Sequence, residues 1–164
     1  MSLPFVALDF EYKAVTGERP VPHCVVWKDF SSGRIDELFL GQGGVAPPCP
    51  PELMGNAVLV AHNLSAEAAC FDALGWPPPE QGLCTKAEYR HKTNGTNRKA
   101  NLMAVCGHLG VPFMESFRKE RMRDLAIRGG PFTPDERRRL LDYCREDVLV
   151  LEPLLSKLHP LGEG

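Results

Sequence analysis

The run Phe5-Val6-Ala7-Leu8 is unbroken apolar, and it leads straight into Asp9-Phe10-Glu11-Tyr12. Such a run reads as a strand inside the core, so the chain must fold around it. Residues i and i+2 of a strand point to the same face, so Asp9 and Glu11 project together near the strand's carboxyl end. Two carboxylates a few ångströms apart repel unless a cation lies between them or one takes a proton. The plainer alternative is that the strand has ended and both acids are solvated. What else in the chain meets them decides between the two.

The other elements follow from pattern and turn chemistry. Residues 4–12, 21–29 and 35–40 read as three strands, with turns at Thr16-Gly17 and Ser32-Gly33. Residues 41–51, rich in Gly and Pro, read as a loop, and Ala57-Val58-Leu59-Val60 as a fully apolar fourth strand. A helix is expected over 65–74, stopped by Pro77-Pro78-Pro79, then a short strand or turn near Leu83. Further helices are expected over 85–91, 98–109, 117–128 and 134–158. The last opens on Thr133-Pro134-Asp135-Glu136, a capping box with proline at the first helical position. Pro153 should end or kink it near Leu151. Strands first, then a strand–helix unit and more helices, predict an α/β fold: a mixed sheet flanked by helices. A length of 164 residues suits one domain, with its core over about 4–158.

Two later segments carry acids toward the first strand. In "VLVAHNLSAEAACF", Val58 to Phe71, an apolar strand runs through a polar turn into a helix. Sites in open α/β sheets gather at the carboxyl ends of strands. Glu67 lies in the first turn or so of that helix and can point toward Asp9 and Glu11. Asp72 is rotated from it by about 140° and lies further along the axis. The alternative for Glu67 is that it only complements the helix dipole. His62 and Asn63 equally suit turn formation and helix capping. In "LLDYCREDVLVLEPLL", Tyr143 and Asp147 share one helical face with Leu140, Val148 and Leu151, the core side. An aspartate there is costly unless paired, and a metal held jointly with Asp9 and Glu11 would pair it. An edge acid on an amphipathic helix is the alternative. Asp142 and Glu146 face solvent on this reading.

Asp9-x-Glu11 on a first strand, His62-Asn63-x-x-x-Glu67 after a later strand and Tyr143-x-x-x-Asp147 on a last helix resemble the three motifs of the DEDDy exonucleases. These form the DnaQ-like group of the ribonuclease H-like superfamily, and the likeness is strongest to the proofreading 3′→5′ exonuclease domain of family A DNA polymerases. It covers residues 4–158, and it implies a ribonuclease H-like fold with a mixed five-stranded sheet. The second motif departs from the usual pattern, with Ala66-Glu67 in place of an aromatic residue and aspartate. Glutamate remains a hard oxygen ligand. The resemblance implies that Asp9, Glu11, Glu67 and Asp147 hold two Mg²⁺ or Mn²⁺ ions. Asp9 would bridge them, and Tyr143 would orient the attacking water. The products would be nucleoside 5′-monophosphates.

The implied substrate is a single-stranded 3′ end of DNA, with RNA trimming or a non-catalytic nucleic-acid-binding module as alternatives. Net charge is −2, but residues 116–139 hold eight cations against four acids, a local +4 suited to steering a phosphate backbone. Lys119 is one of these; solvated helix faces are the alternative reading for each. The loop His91 to Lys99 is also polar and basic. Phe10 and His62 stand beside the acids and could contact the terminal nucleotide, as could Asn63, although packing on the opposite sheet face is the stronger reading for Phe10. Six scattered cysteines without a CxxC pair favour reduced thiols in a cytoplasmic setting, and no run is long enough to span a membrane. Met1-Ser2-Leu3 and Glu163-Gly164 suggest a domain taken from something longer, so a polymerase domain in the same or another chain is an expected partner.

Overall fold

The structure, a computed structural model, describes residues 4–14, 16–41, 44–96, 99–113 and 116–159, and for 116 and 117 the backbone alone. Expectations placed on residues 1–3 and 160–164, and on parts of the loops at 41–51 and 91–99, lie outside them. The sheet comprises β1 (Phe5–Lys13), β2 (Val21–Asp29), β3 (Ile35–Phe39), β4 (Val58–Ala61) and β5 (Gln81–Cys84), in the order β3-β2-β1-β4-β5. β1 runs antiparallel to β2 and parallel to β4, so the expected mixed five-stranded sheet is present. The helices are α1 (Leu64–Leu74), α2 (Thr85–Lys92), α3 (Leu102–Leu109), α4 (Ser116–Arg128), α5 (Pro134–Leu149) and α6 (Leu151–Leu158).

Alternation along β1 divides the core. Ala7, with Cys24, Val26 and Val60, packs on one face against Leu140, Cys144, Val148 and Leu151 of α5 and α6. Val6, Leu8 and Phe10 pack on the other face against Cys70 and Phe71 of α1 and Trp76. The helices therefore cover both faces of the sheet, as its apolar central strands require. No helix among the described residues is long and apolar enough to cross a membrane.

Two local details differ from the sequence reading, and one follows it. The helix expected over 134–158 with an end or kink near Leu151 breaks at Val150 into α5 and α6. Pro153 offers no N–H to the carbonyl of residue 149, and it is tolerated because it falls in the first turn of a new helix. The helix expected from residue 98 begins at Leu102, because the Asn101 side chain accepts from the Ala104 N–H at 2.9 Å and sets the start there. Asn63 occupies the N-cap position of α1, but its side chain accepts from Ser65 Oγ and caps no backbone N–H. The capping box at Thr133 and Glu136 is formed in both directions.

Candidate metal centre

β1 outlasts its neighbour. Its last pairing with β4 is Ala7 with Val60, and β4 ends at Ala61, where the chain turns into α1. Residues 8–13 of β1 thus have no strand beside them on that edge. Glu67 reaches into the gap, and its Oε2 accepts from the Phe10 N–H at 3.1 Å. A carboxylate thereby stands where the next strand's carbonyl would have been. On the other edge the pairing with β2 is irregular between Glu11 and Tyr12, a bulge that bends the strand just as it delivers its second acid.

Asp9 and Glu11 lie on one face of β1, as expected, and meet α5. Their carboxylates and the Cys144 thiol each offer one ligand atom within 4.8 Å of the others. Cys144 Sγ donates to the Asp9 carbonyl at 3.0 Å and to Asp9 Oδ2 at 3.4 Å. Asp147 is buried at 7% exposure, and its Oδ1 has no hydrogen-bond partner among the described residues. Trp27 Nε1 shares that condition but lies in the core on the other face.

Asp9, Glu11 and Glu67 each feel the charge of Asp147. Burial pushes the Asp9 carboxyl well above the usual range; the charge of Asp147 adds to the rise, while Cys144 and Glu11 hydrogen bonds oppose it. Glu11 is raised by burial and then by Asp9, Asp147 and Glu67. Glu67 is raised by burial and by Asp9 and Asp147, against the pull of the Phe10 N–H. Burial pushes Asp147 up to about 6, with Lys119 pulling it down and Glu146 adding to the rise. All four donors are carboxylate oxygens, a set whose chemistry suits a hard cation. Asp147 Oδ1, a buried acceptor without a donor, fits a cation where no protein group serves it.

Glu11 and Asp147 open onto a cavity of about 510 Å³ lined also by Tyr143, by Lys119 and Arg123, and by Tyr12, Asn101, Met103 and Ile127. Tyr143 is buried at 4% exposure, and burial followed by the charges of Asp147 and Glu11 keeps its phenol protonated far beyond neutral pH. Lys119 Nζ lies 4.6 Å from the centre of the Phe113 ring and holds its charge beside Asp9 and Asp147.

The remaining expected residues lie elsewhere. Phe10 points away from the cavity into the opposite core, edge-on to Phe71 and against Trp76, so its ring is not presented to a ligand. The ring nitrogens of His62 are taken by Thr85 Oγ1 at 2.9 Å and the Ala100 carbonyl at 2.7 Å, and burial pushes its pKa down to about 4. It ties the end of β4 to α2 and to the approach to α3, and its neutral ring holds those segments. Of the eight basic residues in 116–139, Lys119 and Arg123 line the cavity. Arg138 is held by Glu37 and Asp142, Arg139 by Asp135, Arg128 by Glu136 and Arg118 by Glu146. Sequence reasoning missed Cys144 and Asn101. Cys144 is three residues before Asp147 and so shares its helical face, a signal overlooked because a lone cysteine reads as core.

Glu67 holds the Phe10 N–H, and a part in cation binding is a separate expectation that substitution can test. Glu67→Gln keeps an acceptor for the Phe10 N–H and should leave the melting temperature within a few degrees, yet it should lose divalent-cation affinity by roughly 10- to 100-fold. Glu67→Ala should lose both, with a stability cost of about 1–3 kcal/mol from the orphaned N–H. Thermal melts beside calorimetric titration of Mn²⁺ separate the two effects.

No protein-family model matches this chain, and no curated protein matches it in sequence. Its fold does have solved counterparts. NrnC of Brucella melitensis with bound Mg²⁺ superimposes with a TM-score of 0.71 at 21% identity, over 96% of this chain and 73% of that one. A nuclease in its apo form gives 0.70 at 18% identity, over 94% and 71%. Escherichia coli RNase D, an exoribonuclease involved in structured RNA processing, gives 0.59 at 14% identity, over 96% of this chain and 40% of that one. At these identities the likeness is one of fold: a mixed five-stranded α/β sheet flanked by helices.

Proposed function

We propose that this chain is a metal-dependent 3′→5′ exonuclease that removes nucleoside 5′-monophosphates from a single-stranded nucleic acid. The observation that carries the reading is the mutual approach of four acids, Glu11, Glu67 and Asp147 buried and Asp9 half-buried, with Asp147 Oδ1 left unpartnered among the described residues. Asp9, Glu11, Glu67 and Asp147 would hold two Mg²⁺ or Mn²⁺ ions, since an all-carboxylate oxygen set suits hard cations. Bound divalent ions supply charge stabilisation on both sides of an in-line phosphoryl displacement.

The chain's own groups do the rest. Tyr143, protonated at working pH, donates its hydroxyl proton in a hydrogen bond to the attacking water and fixes its direction; it is no base. That water adds to phosphorus, its proton passes to solvent, and the 3′ oxygen of the preceding nucleotide departs. Lys119 and Arg123 draw the phosphate backbone to an otherwise acidic mouth. Tyr12, Met103 and Ile127 give apolar surface for the bases. The first reading of the substrate is DNA, in a proofreading-type role beside a polymerase domain, supported by the three motifs. RNA is the second reading, favoured by fold neighbours that include an exoribonuclease and an NrnC bound to pGG.

5′-labelled DNA and RNA oligomers, incubated with Mg²⁺, Mn²⁺ or EDTA, test this directly. A ladder shortening from the 3′ end, abolished by EDTA, is expected, and the faster sugar decides between the readings. A blank gel in Mn²⁺ with the oligomers still bound would instead make the chain a binding module. Tyr143→Phe should lower kcat roughly tenfold or more while changing KM little, because the lost hydroxyl positions water and not the nucleic acid. Steady-state kinetics on one oligomer checks it.

A further inference from the structure

We infer that Cys144 is a ligand, beside Asp9 and Glu11, for a thiophilic divalent cation of the Zn²⁺ or Cd²⁺ class, giving the same centre a second, softer mode of occupation. The inference rests on the metal-dependent reading above but adds a residue and an ion class to it.

The geometry is that of a three-point site. One ligand atom from each of Asp9, Glu11 and Cys144 lies within 4.8 Å of the other two. Metal–sulfur bonds of about 2.3 Å and metal–oxygen bonds of about 2.0–2.2 Å place ligands of a tetrahedral ion roughly 3.5 Å apart. Cys144 Sγ already stands 3.4 Å from Asp9 Oδ2, at that spacing. Asp147 Oδ1, buried and unpartnered, is a further donor on the same helix face, and the cavity beside Glu11 and Asp147 gives an ion its way in.

Ion chemistry then separates two states. A hard ion such as Mg²⁺ has no use for sulfur, so Cys144 stays a thiol and holds Asp9 through hydrogen bonds to its carbonyl and carboxylate. A thiophilic ion favours the thiolate. The S–H proton leaves to solvent, a sulfur–metal bond replaces both hydrogen bonds from the thiol to the Asp9 carbonyl and carboxylate, and no electron changes hands. Cys24, buried on β2, lies beside the same thiol. Sulfur raises affinity for Zn²⁺ and Cd²⁺ well above that of the oxygen set alone.

The test uses the metal-free protein and Cd²⁺ alone. Ultraviolet absorbance follows the thiolate-to-Cd²⁺ charge-transfer band, and ¹¹³Cd NMR of the wild type reports the donor atoms without any substitution. The expected results are a resonance in the mixed sulfur–oxygen range and a band that Cys144→Ser abolishes while weakening the tightest Cd²⁺ site by at least roughly tenfold. Cys24→Ser should keep the band. An all-oxygen ¹¹³Cd shift, or a band and isotherm unchanged in Cys144→Ser, overturns the inference. Because none of these readouts is hydrolysis, Mg²⁺-supported digestion with failed Cd²⁺ results sinks this inference alone. Sulfur ligation intact with no digestion in Mg²⁺ or Mn²⁺ sinks the proposed function alone.

Discussion

Asp9→Ala and Asp147→Ala will each lower hydrolysis by more than roughly 100-fold, beyond what loss of an outer partner of a metal ligand does. The accompanying effect on the fold runs the other way. Asp9 and Asp147 are charged groups taken out of water beside other acids, and their raised pKa values record the cost. Lys119 offsets only part of it for Asp147. Replacing Asp147 by Asn removes the charge and keeps the shape, so in metal-free buffer near pH 8 the variant should gain about 1–3 kcal/mol of stability while losing activity. Urea melts beside the oligomer assay give both numbers. An inactive variant that is also destabilised would mean that Asp147 holds the fold and not a cation.

The second large effect is a cation-dependent stability that fades in acid. A ligand that binds only the folded state at 100 times its Kd stabilises by about 2.7 kcal/mol. For a chain of 164 residues that is a rise in Tm of about 5–10 °C. The pH dependence has a definite sign. Each acid's pKa is higher folded than unfolded, so the folded state binds the proton more tightly. Without metal, stability is lowest above the folded values and rises as pH falls through them, for Asp147 through about 6 toward its ordinary 3.8. Asp147 alone accounts for about 3 kcal/mol at the limit. Protonated carboxyls no longer hold a cation, so the Mn²⁺-induced rise in Tm should be full at pH 8 and largely gone at pH 5. Scanning calorimetry with Mn²⁺ or EDTA across that range measures both trends.

How much of this was legible depends on the distance over which each contact forms. The unbroken apolar runs at Phe5–Leu8 and Ala57–Val60 could only be central strands, and alternation alone sends Asp9 and Glu11 to one face and Phe10 to the other. Asp147 was legible because helical spacing puts it among Leu140 and Val148. Glu67 was only half legible: its value comes from β1 outrunning β4, a register that neither segment encodes by itself. His62 looked like a ligand contact because of its place in a motif, yet its nitrogens are claimed by Thr85 and Ala100, residues 23 and 38 positions away. The basic stretch misled for the same reason, since Glu37, which holds Arg138 with two bonds of 2.7 Å, lies 101 residues before it. Local pattern reads faces and ends; it does not read partners brought in by topology.

Titration of metal-free protein with Mn²⁺, followed by loss of the free-ion EPR signal, tests the convergence of the four acids most directly. Wild-type protein with an oligonucleotide present should take up roughly two ions per chain, and Asp9→Ala should fail to hold them at the same concentrations. An isotherm unchanged by Asp9→Ala, or no uptake by the wild type at all, would contradict it.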